Sequence, residues 1–271
     1  MRFDLIAVGE VLVDISLGEL EPGRVRHGPV RLRAGGTAVN AARATAADGR
    51  RAAVVGRVGD DAAGRLLRTE LDGAGIEPLL AVDPERPTGT FAEALVAGER
   101  TVVADRGATD ALAPADLPSV DADAVLVSGY LLFHERTHEV ARLALRAFGA
   151  QLAGATGGSS ALVDRTRLAG VDVLVVNDEE ACALSGRAGD AAALDLAGDV
   201  QVACVTLGAA GAVAACGTRV ERVPGISRQE TLGAGDAFAA RLLVALAGGR
   251  DLADALAGAA QSSRYARRTS P

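Results

Sequence analysis

Residues 230–243 read ETLGAGDAFAARLL, three small residues and an acid running straight into an apolar, alanine-rich helical pattern. Backbone N–H groups at a helix N-terminus bind anions, and Gly233, Ala234 and Gly235 would let an anion approach them closely. The stretch therefore predicts a helix whose mouth is a cradle for a phosphate oxygen, with Asp236 beside it. The helix dipole favours the ionised carboxylate there, so Asp236 is placed to accept a proton from an attacking hydroxyl. Taken alone, Gly-Ala-Gly-Asp equally suits an ordinary helix start with an acidic cap.

Working outward, apolar runs of strand length alternate with helical patterns, with glycine or an N-capping residue at most junctions. FDLIAVG (3–9), AAVVGRVG (52–59), DAVLVSG (123–129), VDVLVVN (171–177) and VQVACVTLG (200–208) read as buried parallel strands. GTAVNAARATAADG, DDAAGRLLRTELDGAG, ERTHEVARLALRAFG and NDEEACALSG between them read as helices. This order predicts an α/β fold, a doubly wound, mostly parallel sheet flanked by helices. Two segments, about 11–33 and 88–105, instead alternate apolar and polar residues around turns such as AGER. They predict a small β-sheet lid over a site. With no linker, repeat or low-complexity stretch, residues 1–271 read as one domain.

Composition narrows the function. The chain is 49% hydrophobic and 23% charged, as a compact globular protein is, and its net charge of −7 argues against a nucleic-acid or anionic-membrane surface. Cys182, Cys204 and Cys216 are odd in number and scattered, which suits a reducing compartment. The opening MRFDLIAVGE carries acids at positions 4 and 10 with no long apolar run, so it reads as no secretory leader. No stretch reaches the roughly 18 apolar residues of a membrane span, and the expected location is the cytoplasm. All 28 basic residues other than histidine are arginine. That excludes every lysine-based mechanism: a P-loop, a protein-kinase strand lysine, a Schiff base.

Further stretches give the opening one company. VTLGAAGAV (205–213) sets Thr206, Gly208 and Gly211 at the end of a strand, where open α/β sheets bind ligands. NDEEA (177–181) puts Asn177 and Glu180 on one face of a helix turn. RAGGTAVNAARATA (33–46) opens a helix with a glycine pair and places Asn40 one turn in, and VGEVLVDIS (8–16) leaves Asp14 after an apolar strand. In this order, over about residues 5–265, these motifs resemble the ribokinase-like, or PfkB family, carbohydrate kinases. The resemblance implies an ATP- and Mg²⁺-dependent sugar kinase that transfers the γ-phosphoryl group of ATP to a hydroxyl of a sugar or sugar acid. By resemblance Asp236 is the catalytic base and Gly233, Ala234 and Gly235 are the anion hole. Asn177, Glu180, Thr206, Gly208 and Gly211 then hold the nucleotide, Glu180 reaching magnesium through water. Asp14, Gly35, Gly36 and Asn40 hold the sugar, and Arg106 stands where a carboxylate-binding arginine occurs in the 2-keto-3-deoxygluconate kinases. Relatives often form homodimers through the lid.

Departures and rivals are also legible. Glu230 replaces the family's usual Asp, which makes monovalent-cation activation doubtful, and the chain stops soon after SSRYARRTSP. QLAGATGGSSALVD (151–164) lacks the Asp or Asn that many relatives carry there. One rival is a sugar- or nucleotide-binding protein of low activity on the same fold. Another is a zinc metalloprotease, because His134-Glu135-Arg136-Thr137-His138 satisfies H-E-x-x-H, with a third ligand drawn from His27, Glu179 or Glu180.

Overall fold

The computed structural model describes residues 2–225 and 233–262. In chain order the first half holds β1 (Arg2–Val8), β2 (Leu12–Leu20), β3 (Arg31–Gly35), α1 (Thr37–Ala47), β4 (Ala52–Gly59), α2 (Ala62–Gly73), β5 (Glu77–Asp83), β6 (Gly89–Val96), β7 (Glu99–Asp105), β8 (Asp121–Val127), α3 (Gly129–Leu132) and α4 (His138–Ala144). The second half holds β9 (Leu152–Thr156), β10 (Val173–Asn177), α5 (Asp178–Ser185), α6 (Gly189–Leu196), β11 (Val202–Thr206), β12 (Ala212–Cys216), β13 (Arg219–Val223), α7 (Ala234–Ala247) and α8 (Leu252–Ser262).

Apolar runs buried on both faces build the larger sheet. In β1, Leu5 and Ala7 belong to the core on one side of the sheet, and Ile6 and Val8 to the core on the other. Helices α1, α2, α7 and α8 cover the first side, and α3, α4, α5 and α6 the second. The strand order is β13-β12-β11-β10-β9-β8-β1-β4-β5. Every neighbour pair from β11 to β5 is parallel, and β12 and β13 add an antiparallel edge. The chain leaves β1 toward β4 and β5, then returns to β8 on the other flank and runs on to β11. The order therefore reverses between β1 and β8, and the crevice at that switch is where such sheets bind ligands.

The loops at this crevice press close together. A Cβ on Gly129, just after β8, would lie 1.0 Å from the carbonyl oxygen of Gly157, just after β9. No side chain fits between them.

The smaller sheet has the order β3-β2-β6-β7, parallel between β2 and β6 and antiparallel on either side. Its strands come from the two segments, about 11–33 and 88–105, that read as hairpin-like in the sequence, with β3 reaching Gly35. Its second crossing is tied to the main sheet through Asp61, which caps α2 by accepting from the Gly64 N–H (2.7 Å) and also accepts from the Thr88 N–H (2.8 Å). These backbone bonds outweigh partial burial and hold the Asp61 carboxyl below the usual carboxylate range. Nearby, Arg57 bridges Asp83 (3.1 Å) and Asp116 (3.0 Å). Among the described residues no helix is long and apolar enough to cross a membrane.

Two expectations need correction. The larger sheet has nine strands, against the five long runs read from sequence, because β5, β9, β12 and β13 are short or carry few large β-branched residues. Residues 135–149 do not form one helix, since 134–137 are bend and turn and α4 begins only at His138. Thr137 Oγ1 donates to the Leu131 carbonyl (2.9 Å), and His138 Nδ1 lies 2.7 Å from the Leu132 carbonyl. His134 and His138 thus lack the helical i, i+4 relation that zinc ligation requires. Among the described residues no group of three His, Cys, Asp or Glu could hold a metal ion, so the metalloprotease reading falls.

The tight crevice is testable. Gly129→Ala should force the β8 and β9 loops apart and cost at least about 2 kcal/mol, read as a lower urea midpoint. An unchanged midpoint would show that the approach is not constrained.

Candidate active site

Five neighbouring parallel strands deliver polar groups or bare backbone at their C-terminal ends. In sheet order these are Thr206 (β11), Asn177 (β10), Gly157 (after β9), Ser128 (after β8) and Glu10 (after β1). Across the switch point Ser128 Oγ donates to Glu10 Oε2 at 2.8 Å.

On the sugar-side residues, glycines make room for carboxylates. A Cβ on Gly35 would fall 2.2 Å from the Asp14 carboxylate, and one on Gly36 would fall 2.2 Å from the Glu10 carbonyl oxygen. Gly36 also sits at φ 99° as the N-cap of α1, a conformation that favours glycine. One turn into α1, Asn40 Nδ2 donates to Asp236 Oδ2 at 2.9 Å across 196 residues of sequence. Asn40 also fills the space beside Gly233, where a Cβ would meet its side-chain carbon at 2.6 Å.

Gly233 caps α7 in the left-handed region, φ 81°. The first-turn N–H groups of Ala234, Gly235 and Asp236 have no carbonyl partner within that helix. No described atom lies within 4 Å of the place a Cβ on Gly235 would take. Packing therefore does not require glycine there, but an anion that must touch the backbone does.

Asp236 is half-buried in this first turn. Burial pushes its carboxyl up to about 6, against a usual value near 3.8. Hydrogen bonds from Asn40 and Thr37 pull it down, and the charges of Glu10 and Glu180 push it up. Burial also raises Asp14, opposed by Arg33, and raises Glu10, opposed by the Ser128 hydrogen bond and by Arg106. Burial raises the Tyr130 phenol above its usual value, and the charges of Glu10, Glu180 and Asp236 push it the same way.

On the other flank, Asn177 and Glu180 form a reciprocal cap. Asn177 Oδ1 accepts from the Glu180 N–H (2.8 Å), and Glu180 Oε2 accepts from the Asn177 N–H (2.9 Å). Glu180 Oε1 also accepts from the Gly158 N–H (2.9 Å), so the carboxylate ties the β9 loop to α5. Thr206 pairs in register with Asn177, and its hydroxyl donates to the Val176 carbonyl (3.3 Å). Gly208 lies in the exposed turn after β11, while Gly211 is needed for packing, since its Cβ would meet the Val223 carbonyl at 1.9 Å. Glu230 lies outside the described residues, as does most of SSRYARRTSP.

Arg106 stands where the chain returns from the lid. Its guanidinium donates to Asp110 Oδ1 (2.5 Å) and to the Tyr130 carbonyl (3.3 Å), and it lies 3.6 Å from Glu10 Oε1.

Residues 2–270 match the profile of the pfkB family carbohydrate kinases. The chain belongs to that family. A bifunctional protein HldE from Caulobacter vibrioides is 33% identical over 249 residues, covering 81% of this chain. The chain spans about half that relative's length, 49%. Among solved structures, an adenosine kinase from Sinorhizobium meliloti superposes with a TM-score of 0.85 at 26% identity, covering 97% of this chain and 93% of its own. A fructokinase from Vibrio cholerae O395 gives a TM-score of 0.80 at 25% identity, covering 98% and 97%.

The structure brings Asp14, Gly35, Gly36, Asn40, Gly233 and Asp236 into one contact network, and Asn177, Glu180 and Thr206 into another. Sequence reading missed Glu10, Ser128, Thr37 and Tyr130. The signal for Glu10 was available, an acid one residue past a fully apolar strand end.

Glu10 and Asp236 are coupled by charge, so Glu10→Gln should lower the Asp236 pKa from about 6. A carboxyl-carbon NMR titration, with Asp236→Asn identifying the signal, measures this. A wild-type Asp236 that titrates near 4 would contradict the geometry.

Proposed function

We propose that this carbohydrate kinase transfers the γ-phosphoryl group of ATP to a hydroxyl of a sugar, sugar acid or sugar-like polyol, with Asp236 as the base. The observation that carries the reading is Asp236 itself, held by Asn40 in the first turn of α7 beside exposed backbone, with a pKa of about 6. A base with that pKa is ionised at neutral pH yet holds a proton better than an ordinary aspartate.

In this reading Asp14, Gly35, Gly36, Asn40 and Arg106 hold the acceptor substrate. Asp236 takes the proton of one substrate hydroxyl, and that oxygen attacks the γ-phosphorus. The bond from the γ-phosphorus to the oxygen shared with the β-phosphate breaks, and ADP leaves with that oxygen's electron pair. The N–H groups of the first turn, Gly233, Ala234 and Gly235 at its mouth, stabilise the charge on the transferring group. Asn177, Glu180, Thr206, Gly208 and Gly211 line the nucleotide side.

The residues present fit a magnesium ion that keeps most of its waters and travels with the phosphates. Both Glu180 oxygens already accept backbone N–H groups, so Glu180 would reach the ion through water. When bound, magnesium would neutralise charge on the phosphate oxygens.

The test is ADP release from ATP and Mg²⁺ across a panel of sugars, polyols and sugar acids, with Asp236→Asn in parallel. Sugar-dependent turnover is expected, falling by about 10²- to 10⁴-fold in the variant. The variant should stay folded. A carboxyl whose folded pKa is raised lowers stability progressively as pH climbs from its unfolded value near 3.8 to about 6, and by a constant amount above that, so Asp236→Asn should melt no lower than wild type at pH 8. Ligand-induced stabilisation without ADP from any panel member would favour a binding protein instead.

A further inference from the structure

We infer that Glu10 and Arg106 form a donor–acceptor pair that selects a neutral, hydroxyl-bearing substrate over a sugar acid or sugar phosphate. The inference rests on the kinase reading above and narrows its substrate class. Glu10 is 5% exposed; its Oε2 accepts from Ser128, while its Oε1 is buried with no hydrogen-bond partner among the described residues. Arg106 Nη2 is likewise buried and unpartnered, although Nε and Nη1 are engaged by Asp110 and the Tyr130 carbonyl. Buried polar atoms left without hydrogen bonds cost free energy; Oε1 has an ion-pair contact at 3.6 Å, to Arg106 Nη1, but no hydrogen bond, and with the unpartnered Nη2 of the same guanidinium it marks a place for a ligand group. The place adjoins the sugar-side residues, because the backbone of Glu10 packs on Gly36, which opens the helix carrying Asn40. Asp14 Oδ2 is a further buried oxygen without a hydrogen-bond partner, on the strand that follows.

A hydroxyl both donates and accepts, so it answers Glu10 Oε1 and Arg106 Nη2 together. A carboxylate or phosphate only accepts. It would answer Nη2 and leave Oε1 facing another negative group. Arg106 carries one positive charge against Glu10 and Asp110, so no net positive charge remains whether Glu10 is ionised or protonated. Arg33 lies 3.5 Å from Asp14, and Arg43, whose charge Asp14 also feels, pairs with Glu70 at 3.2 Å, so both are compensated in the same way. An acidic substrate would therefore lose its hydration without gaining an uncommitted cation.

The experiment uses matched pairs, glucose with gluconate and ribose with ribonate, scored by kcat/KM for ADP release and by thermal stabilisation of the free protein. The neutral member of a pair is expected to be favoured by about ten- to a hundredfold in kcat/KM. Asp110→Asn, which frees the guanidinium, and Glu10→Gln, which removes the negative acceptor, should each raise the acid-to-neutral ratio by about tenfold. Reading a ratio keeps the result independent of any general loss of activity. Equal or better use of the acids by wild type, or ratios unmoved by both substitutions, would overturn the inference while leaving the kinase reading intact. Selective stabilisation by the neutral members without turnover would do the reverse, sustaining the selectivity and sinking the kinase. Absence of both turnover and selective stabilisation overturns the two together.

Discussion

The hydrogen bond from Asn40 to Asp236 is the contact on which the site depends. It joins the first helix after the lid to the helix near the other end of the chain, and it sets the carboxylate against the exposed backbone of α7. Around it the requirements are steric before they are chemical. Gly233 must be glycine because Asn40 occupies its Cβ position, and Gly35 and Gly36 because Asp14 and Glu10 occupy theirs. Gly233 thus makes room for α1 and α7 to meet, and the bare backbone of the next residues is what an anion can use.

Electrostatics then follows from burial. Glu10, Asp14 and Glu180 are buried and Asp236 is half-buried, while Arg33 lies against Asp14 and Arg106 against Glu10 and Asp110. Burial and like charge raise Asp236 toward neutrality, which makes it a better proton acceptor than an ordinary aspartate. In the proposed reading the same acidic surroundings would disfavour an anionic acceptor, while backbone N–H groups at α7 would receive the phosphate.

Much of this was legible in the sequence, for reasons that differ between elements. AAVVGRVG matches β4 residue for residue, because a strand covered on both faces is near-continuously apolar, here apart from the ion-paired Arg57. LAGAT and EPLLAVD, by contrast, pass for loop in sequence, since their neighbours in the sheet and not their own propensities make them β9 and β5. HERTH satisfied a metal motif by spacing alone, but the capping position of Thr137 breaks the helix that the motif needs. Glu10 stayed hidden inside VGEVLVDIS because its importance lies in one unpartnered oxygen, a property of three-dimensional burial that no local pattern carries. Arg106 was visible as a cation, but its two carboxylate neighbours come from the strand end at position 10 and the turn at position 110.

The central claim is that a raised, Glu10-coupled Asp236 is the base of a phosphoryl transfer. The pH dependence of kcat/KM for sugar-dependent ADP formation tests it most directly, since that profile reports groups of the free enzyme. Activity should be full at neutral pH and fall as pH drops through about 6, with Glu10→Gln moving the midpoint to lower pH. A profile that stays flat well below pH 6, or whose midpoint is indifferent to residue 10, would contradict the account.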